Sequence, residues 1–228
     1  MKRFLMAVFY DLNMAWVRAL IFIVCGRDIK GRENVPRKGG FILAANHLNN
    51  ADPPILTGAT PRRIAWLTKA EWFKTPVAGL MFRMGGMIPV RRFEADLQAL
   101  RRSEQALKAG RVLGMFPEGT RSRTGGLARG EPGTALIALR TGALIVPVAI
   151  WGTENVKLPR DILRRTHACV RFGKPFTLPA ARRITKAEVE AGTETIMREI
   201  AALLPPQYHG VYATGAPGRA ATAAKGKA

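Results

Sequence analysis

Two residues that could act together as a catalytic base, His47 and Asp52, lie close together in the chain. They follow the short apolar run 41–45, which predicts a buried strand, and Pro53 next to Asp52 is typical of the start of a helix. On such a strand-to-helix turn, Asp52 could accept a hydrogen bond from one imidazole nitrogen and leave the other free to take a proton. The alternative for this segment is that Asp52 only caps its helix and that His47 is an ordinary surface histidine.

A second polar segment, residues 116–122, follows another short apolar run that predicts a strand. Gly119 permits a sharp turn, Thr120 offers a hydroxyl, and the guanidinium of Arg121 can bind a phosphate with two parallel hydrogen bonds. Glu118 would repel a phosphate, so we expect it to orient Arg121 or to accept a hydrogen bond from a substrate hydroxyl. The alternative is an exposed turn with an ordinary ion pair.

Four sequence blocks together resemble the glycerolipid acyltransferase family, and within it the bacterial lysophosphatidic acid (1-acyl-sn-glycerol-3-phosphate) acyltransferases. The blocks are the His-x4-Asp motif at His47 and Asp52, residues 85–92, residues 116–122 and residues 146–150. They occur in the family's order and together span about residues 30 to 160. One position departs from the family's pattern, because Glu131 stands where many relatives carry a basic residue.

This resemblance implies an enzyme that moves a fatty acyl chain from an acyl thioester, carried by coenzyme A or acyl carrier protein (ACP), to the free hydroxyl of 1-acylglycerol-3-phosphate, which gives phosphatidic acid. His47 would remove the hydroxyl proton, and Asp52 would orient the imidazole. No enzyme nucleophile is needed, because a thiol with a pKa of about 8.5 leaves readily as the thiolate. The substrate-binding residues that we expect are Glu118, Gly119, Thr120, Arg121, Arg91 and Lys69.

Two alternatives to this function stay open. The same site could acylate another lysophospholipid or an unusual polar lipid, or the chain could be a basic membrane-surface binding module whose histidine is incidental. The sequence argues against a serine hydrolase, because neither of its serines, Ser103 and Ser122, lies in a G-x-S-x-G motif. It contains no zinc spacing, no P-loop and no dinucleotide fingerprint, so we expect no metal and no cofactor other than the acyl-CoA or acyl-ACP co-substrate.

The remaining segments predict an α/β fold, a single acyltransferase-like domain in which a mixed, mostly parallel sheet is flanked by helices and preceded by an N-terminal apolar helix or helices. The predicted elements are helices over 94–109, 131–141 and 186–204, a strand over 144–150 and a strand with a following turn over 170–176. Pro147 within its strand predicts a sheet edge or a bulge. The Met- and Phe-rich segment 81–87 could line a tunnel for an acyl chain, or could be ordinary core.

Composition predicts three regions: an apolar membrane-associating segment at 1–28, the acyltransferase domain at 29–204 and a basic, disordered tail at 205–228. Charged interruptions in 1–28 favour a helix that lies in the membrane interface over one that spans the bilayer or packs in the core. We therefore expect the protein at the cytoplasmic face of the cell membrane, as a peripheral, monotopic or single-span protein.

The net charge of +20 is the strongest compositional feature. It would attract an anionic membrane surface, an acidic acyl carrier protein and a phosphorylated lysophospholipid acceptor. Nucleic acid would also be attracted, but no fingerprint of a nucleic-acid-binding fold is present, so we expect no such partner.

Overall fold

The computed structural model describes residues 28–91, 96–154, 156, 168–179 and 183–213. The strands in these ranges are β1 (Ile29–Lys30), β2 (Phe41–Ala45), β3 (Ile64–Lys69), β4 (Ile88–Val90), β5 (Val112–Met115), β6 (Leu144–Trp151) and β7 (Cys169–Phe172). The helices are α1 (Asp52–Ala59), α2 (Pro76–Met84), α3 (Leu97–Lys108), α4 (Gly133–Thr141) and α5 (Lys186–Ala201). The predicted apolar segment 1–28, apart from Asp28, and residues 214–228 of the predicted tail lie outside the described residues.

All seven strands form one sheet, in the order β1-β7-β6-β2-β5-β3-β4. Neighbouring strands are parallel except for β6 and β7, which are antiparallel, so the prediction of a mixed, mostly parallel sheet is confirmed. β2 lies in the middle, with Ile42 opposite Leu113 of β5 and Ile145 of β6. All five residues of β2 are buried, which explains why this strand is a continuous apolar run rather than an alternating one.

Apolar residues cover both faces of the sheet. On one face, Leu43 belongs to a cluster with side chains of α1. On the other face, Ile42 and Ala44 pack in a cluster with side chains of α3, α4 and α5. The two clusters alternate along β2 because successive side chains of a strand point to opposite faces. The carboxyl ends of the parallel strands meet at one edge, and the turns 46–52 and 116–122 follow β2 and β5 at that edge.

Local signals determine where the helices begin and end. Asp96 caps α3, since its side chain accepts two main-chain N–H groups of the first turn at 3.1 and 2.9 Å. Gly142 follows α4 with a φ of 62°, the left-handed conformation that favours glycine. Thr185 and Glu188 form a capping box at the start of α5. The three helices with predicted bounds, α3, α4 and α5, are each slightly shorter than predicted.

Of the two alternatives predicted for Pro147, a sheet edge or a bulge, the edge is wrong because β6 is an internal strand between β2 and β7, whereas the ladder beside Pro147 is irregular. The ladder toward β7 stops at Val148 and resumes only as an isolated bridge between Ile145 and Phe176. The chain after β7 therefore leaves the ladder opposite Pro147, whose carbonyl accepts the N–H of Gly173 at 2.8 Å. This irregularity allows a residue without an N–H group to occupy an internal strand.

The prediction of a disordered tail is wrong for its first part, residues 205–213. This part forms two short 3-10 helices that carry Tyr208 and Tyr212, and both tyrosines pack against the core. Leu127 N donates to Tyr208 O at 2.9 Å, and Val211 N donates to Leu127 O at 3.1 Å. The tyrosines supply apolar burial that the surrounding Pro and Gly residues obscure in the composition.

Candidate active site

His47 and Asp52 meet at the carboxyl edge of the sheet, where the chain turns from β2 into α1. The imidazole Nδ1 lies 2.8 Å from Asp52 Oδ2, and only 7% of His47 and 0% of Asp52 are exposed. A carboxylate only accepts hydrogen bonds, so a neutral His47 carries its hydrogen on Nδ1 and keeps a free lone pair on Nε2. This geometry is that of an oriented general base.

Four hydrogen bonds hold the Asp52 carboxylate. Besides His47, Oδ2 accepts the N–H groups of Leu48 at 2.6 Å and Asn49 at 2.7 Å, and Oδ1 accepts the hydroxyl of Thr153 at 2.6 Å. A buried carboxylate needs such partners, because burial removes its hydration. Thr153 lies 101 positions further along the chain, so no pattern near Asp52 indicates its role.

Asp52 does not cap α1 in the predicted way. The helix begins at Asp52 itself, with Ala51 at the N-cap position and without a side-chain cap. The next two residues, Pro53 and Pro54, have no N–H group, so the first turn lacks the donors that a capping side chain would bind. The carboxylate instead turns back to the main chain of residues 48–49.

Asn46 and Phe116 fix the rest of the histidine turn. The amide of Asn46 pairs with the main chain of Ile150 on β6, donating from Nδ2 to the carbonyl and accepting the N–H at Oδ1, both at 2.8 Å. The Phe116 ring stacks on the imidazole with centroids 4.0 Å apart, and on the Trp66 ring with centroids 4.8 Å apart. The Phe116 ring contacts one face of the imidazole and Asp52 binds its Nδ1 edge, so the two contacts together restrict rotation of the imidazole. Phe116 lies in the recognised block 116–122 and Asn46 directly precedes the His-x4-Asp motif, but the sequence does not show what the two residues contact.

Glu118 joins two loops through its carboxylate. Oε1 accepts the N–H of His47, and Oε2 accepts the N–H of Ala128, each at 2.9 Å. This differs from the predicted role, in which Glu118 orients Arg121 or binds a substrate hydroxyl, because both oxygens accept main-chain N–H groups and only 4% of the residue is exposed. Burial raises the pKa of Glu118 to about 7 against the opposing effect of these two bonds, and the charge of Asp52 contributes to the rise.

The loop 116–122 contacts the histidine turn through its main chain. Ser122 N donates to His47 O at 2.8 Å. Gly119 has a φ of 68°, a conformation that favours glycine. Thr120 and Arg121 are exposed, so the loop holds its backbone against the base while two of its polar side chains face solvent.

A largely apolar cavity of about 540 Å³ lies beside His47, which forms part of its wall. Its apolar lining includes Leu67, Val90, Leu97, Leu100, Met115, Leu136 and Ile137. Polar lining residues include Arg91, Asp96 and Glu131. The segment 81–87, which the sequence suggested for a tunnel, does not contribute to this lining. A base beside an apolar cavity suits a substrate that has a reactive polar group and a long apolar chain.

The predicted site residues fall into two groups. The first group is hydrogen-bonded to the base or lines the cavity, and consists of His47, Asp52, Glu118, Gly119 and Arg91. The second group is exposed and outside the cavity lining, and consists of Lys69, Thr120 and Arg121. The structure therefore brings together the predicted base His47, the carboxylate of Asp52 and one predicted substrate-binding arginine, Arg91.

Two negative findings concern only the described part of the chain. In these ranges, no three or more His, Cys, Asp and Glu side chains are grouped so that they could hold a metal ion. Among the helices that the structure describes, none is both long and apolar enough to cross a membrane.

Comparison with known proteins gives one family match and several curated relatives. The acyltransferase family model matches residues 26–151. The 1-acyl-sn-glycerol-3-phosphate acyltransferase of Borreliella burgdorferi is 31% identical over 129 residues, which are 56% of this chain and 52% of that protein. The lyso-ornithine lipid O-acyltransferase of Pseudomonas aeruginosa is 29% identical over 136 residues, which are 59% of this chain and 52% of that protein. The chain thus spans about half the length of these two curated relatives.

A solved structure is similar over most of the chain. The crystal structure of the 1-acyl-sn-glycerophosphate (LPA) acyltransferase from Thermotoga maritima superposes with a TM-score of 0.62 at 25% identity. The superposition covers 83% of this chain and 79% of that one. The family match at 26–151 includes the His47–Asp52 turn and the Glu118 loop, whereas Thr153 lies just beyond it.

Proposed function

The chain belongs to the acyltransferase family, and from this premise we propose that it transfers a fatty acyl chain from an acyl thioester to the free hydroxyl of 1-acylglycerol-3-phosphate. The product would be phosphatidic acid, and the reaction a step of phospholipid synthesis. The observation that carries the proposal is the hydrogen-bonded pair of His47 and Asp52 beside an apolar cavity. The relative from B. burgdorferi and the structure from T. maritima support this choice of acceptor.

In the proposed reaction, His47 Nε2 takes the proton of the acceptor hydroxyl as its oxygen attacks the thioester carbonyl carbon. The tetrahedral intermediate then expels the thiolate, so an oxygen ester forms, the carbon–sulfur bond breaks and His47 returns its proton to the leaving sulfur. Asp52 stabilises the imidazolium through its bond with Nδ1. We propose no cofactor besides the acyl-CoA or acyl-ACP co-substrate, because a thiolate leaves readily from a single-base reaction.

We propose that Arg91 and Arg121 bind the acceptor phosphate. Arg91 lines the cavity beside His47, and a guanidinium can form two parallel hydrogen bonds with a phosphate. Arg121 immediately precedes Ser122, whose N–H bonds to the carbonyl of His47 at 2.8 Å. An exposed cation therefore lies on a loop that is in direct contact with the base. Of the other predicted contacts, Gly119 lines the cavity and Lys69 and Thr120 lie exposed near the same edge.

The donor and the location of the protein are further parts of the proposal. Both acyl-CoA and acyl-ACP carry negative charge, and the net charge of +20 favours either of them. The same charge favours an anionic membrane surface, where an amphipathic acceptor would be found. We therefore propose that the protein acts at the cytoplasmic face of the cell membrane.

A second candidate acceptor is another lysolipid. The P. aeruginosa relative, whose name states that it acylates a lyso-ornithine lipid, favours this candidate. The base and the apolar cavity would serve either acceptor, and only the headgroup contacts would differ. A basic membrane-binding module without activity is a weaker candidate, because it would not need a buried His–Asp pair whose carboxylate has four hydrogen-bond partners.

Release of free thiol from a long-chain acyl-CoA or acyl-ACP tests the proposal, with the full chain in detergent micelles and with or without 1-acylglycerol-3-phosphate. We expect acceptor-dependent release, which His47→Ala lowers by about 10²- to 10⁴-fold, the usual contribution of a general base. The matched control is His209→Gln, because this histidine does not line the cavity and its ring bonds to Leu204 O at 2.9 Å. Substitution of a lyso-ornithine lipid for the acceptor decides between the two candidates. No release with either donor and either acceptor contradicts the enzyme proposal.

A further inference from the structure

Trp72, Leu80 and Met81 expose large apolar side chains within one short stretch of the chain. They are 54%, 56% and 64% exposed, and they make up half of the six large apolar side chains that are exposed among the described residues. Trp72 lies on the 3-10 helix Ala70–Lys74, and the other two lie on α2. We call these three residues the 72–81 surface. Single exposed apolar residues are common, whereas three of them on two short helices that pack together indicate an interaction site.

Packing between the two helices holds the 72–81 surface in place. The rings of Phe73 and Phe82 pack with their centroids 5.7 Å apart. Gly79 approaches Phe73 so closely that an added Cβ would lie 2.5 Å from its carbonyl oxygen. Arg83 donates a hydrogen bond to the same oxygen at 3.1 Å. The exposed apolar side chains next to these residues are therefore presented by a packed pair of helices rather than by a loose loop.

Exposed basic residues flank the 72–81 surface in the chain. Lys69, Lys74 and Arg83 are exposed, and Glu71 is the only acidic residue in the sequence from Lys69 to Met84. A tryptophan, aliphatic side chains and flanking Lys or Arg residues together form the combination that binds the interface of an anionic bilayer. We infer that the 72–81 surface docks this protein on an anionic lipid bilayer.

The 72–81 surface lies near the cavity beside His47. Leu97, at the start of α3, lines this cavity and is 64% exposed. Ala70, the first residue of the helix that carries Trp72, lines a small hollow together with Leu97. Docking through a helix that begins beside this hollow would bring the lipid near Leu97 and the cavity, so that an acceptor could enter from the bilayer. This last step rests on the proposed function, whereas the docking itself does not.

Charge favours an anionic bilayer over two other candidate occupants of the 72–81 surface, a second copy of the chain and the N-terminal segment. A second copy of the chain would bring two basic surroundings together, which electrostatic repulsion opposes. The apolar N-terminal segment 1–27 carries four basic residues and one acidic residue, so it has the same sign of charge as the surface. An anionic bilayer has the opposite sign and also accepts the apolar side chains, so it matches both properties.

Vesicle binding by the full chain tests the inference. The variant Trp72→Ser/Leu80→Ser/Met81→Ser changes only exposed side chains, and the control Leu144→Ser/Val211→Ser removes apolar side chains that are 40% and 53% exposed elsewhere. On phosphatidylcholine vesicles that contain phosphatidylglycerol, we expect the triple variant to partition about tenfold or more weakly than wild type, because it loses apolar burial. The control should bind like wild type. Equal partitioning of the triple variant and wild type, with unchanged thermal unfolding, overturns the inference.

Fluorescence quenching locates Trp72 directly. A Trp16→Phe background removes the tryptophan of the N-terminal segment. In this background, vesicles of brominated lipid should quench the emission, and the additional change Trp72→Phe should remove most of the quenching. Equal quenching with and without Trp72 shows that something other than lipid covers this residue, such as the N-terminal segment or a second copy, and overturns the inference.

Acyl-transfer assays with the acceptor in detergent micelles and in vesicles distinguish a failure of this inference from a failure of the proposed function. With the acceptor in detergent micelles, the triple variant should transfer acyl chains as fast as wild type. With the acceptor in anionic vesicles, its rate should fall in parallel with its binding. A wild-type protein that binds vesicles through Trp72 but transfers no acyl chain in either form contradicts the proposed function and supports the docking inference.

Discussion

The candidate active site has two sides, the His47–Asp52 turn and the loop 116–122, and they differ in how many contacts hold their side chains in place. On the side of the base, the Asp52 carboxylate has four hydrogen-bond partners and the His47 ring lies between a carboxylate and an aromatic ring. No buried side-chain nitrogen or oxygen among the described residues lacks a partner. On the side of the loop, Thr120 and Arg121 are exposed. The His47 ring, the proposed base, is thus oriented before a substrate arrives, whereas the proposed contacts of the loop form only with the ligand.

This difference has a kinetic consequence. An oriented base contributes to the chemical step, so changes on that side should lower kcat. A side chain that binds the headgroup equally in the ground state and the transition state contributes to KM alone. Variants on the two sides should therefore differ in which constant they change.

The largest effect is expected from Asp52→Asn. The neutral amide would place its NH2 group either where Oδ2 now accepts two main-chain N–H groups or where Oδ1 now accepts the Thr153 hydroxyl, so the carboxylate's set of four accepted hydrogen bonds cannot be kept. The imidazole would lose its fixed tautomer and the partner that stabilises its charge. We expect kcat for acyl transfer to fall by about 10²- to 10⁴-fold with a small change in KM. A kcat within a few-fold of wild type, in a protein with unchanged circular dichroism, would show that Asp52 does not orient the base.

The next largest effect is expected from Glu118→Gln, and it concerns how the free energy of unfolding depends on pH. The unfolded residue has a pKa of 4.5, while burial raises the pKa in the folded protein to about 7. Between these values the folded protein holds a proton that the unfolded chain has lost, so the contribution of this group is complete below the lower value and is lost as pH rises through the higher one. The advantage of wild type over Glu118→Gln should shrink by on the order of 3 kcal/mol from about pH 4 to about pH 8.

Urea unfolding of both proteins across this pH range measures the change. Glu190→Gln, which alters an exposed carboxylate on α5, serves as the control and should follow the wild-type curve. Parallel curves for Glu118→Gln and wild type would contradict the raised pKa. The pair of experiments shows whether the link between the base and the loop is itself sensitive to pH.

The contact between His47 and Asp52 could be predicted from the sequence because the two residues are only 5 positions apart in the chain. His47 and Asp52 share one turn, so spacing alone places them within reach. β2 and β5 are continuous apolar runs, and such runs indicate strands that are buried on both faces. Gly142 marks the end of α4 through its left-handed conformation. These are local properties, and local patterns reveal them.

The contacts that complete the site could not be predicted, because they join distant positions. The bond from Thr153 to Asp52 spans 101 positions, and the bond from His47 to Glu118 spans 71. They exist because the sheet places β2 between β5 and β6, and the sequence predicts that strands and helices alternate but not the order of the strands. The error about Pro147 has the same origin, since its neighbours in the sheet come from segments before and after it in the chain.

The variant Arg121→Ala tests the proposed role of the loop 116–122 in binding the acceptor. A charge-assisted hydrogen bond contributes about 1.5–3 kcal/mol, and exposure reduces this to the lower end, so we expect KM for 1-acylglycerol-3-phosphate to rise about tenfold with kcat nearly unchanged. Arg123→Ala, which removes an exposed arginine two positions further on, is the matched control and should have a smaller effect. Initial rates at varied acceptor concentration separate the two constants. A fall in kcat without a rise in KM would place Arg121 on the side of the base.

The smallest effect is expected where the C-terminal segment supports this loop. Gly130 N donates to the Tyr212 hydroxyl at 3.2 Å, and Tyr212→Phe would leave this N–H without that acceptor. We expect a loss of about 1 kcal/mol in the free energy of unfolding and less than a twofold change in kcat, because two main-chain bonds still tie Leu127 to the segment. Tyr208→Phe, which removes an exposed bond to Glu154, should cost less. If Tyr212→Phe instead lowers kcat strongly, the base depends on support from 205–213 through Ala128 and Glu118, and its orientation is less local than the His47–Asp52 turn alone suggests.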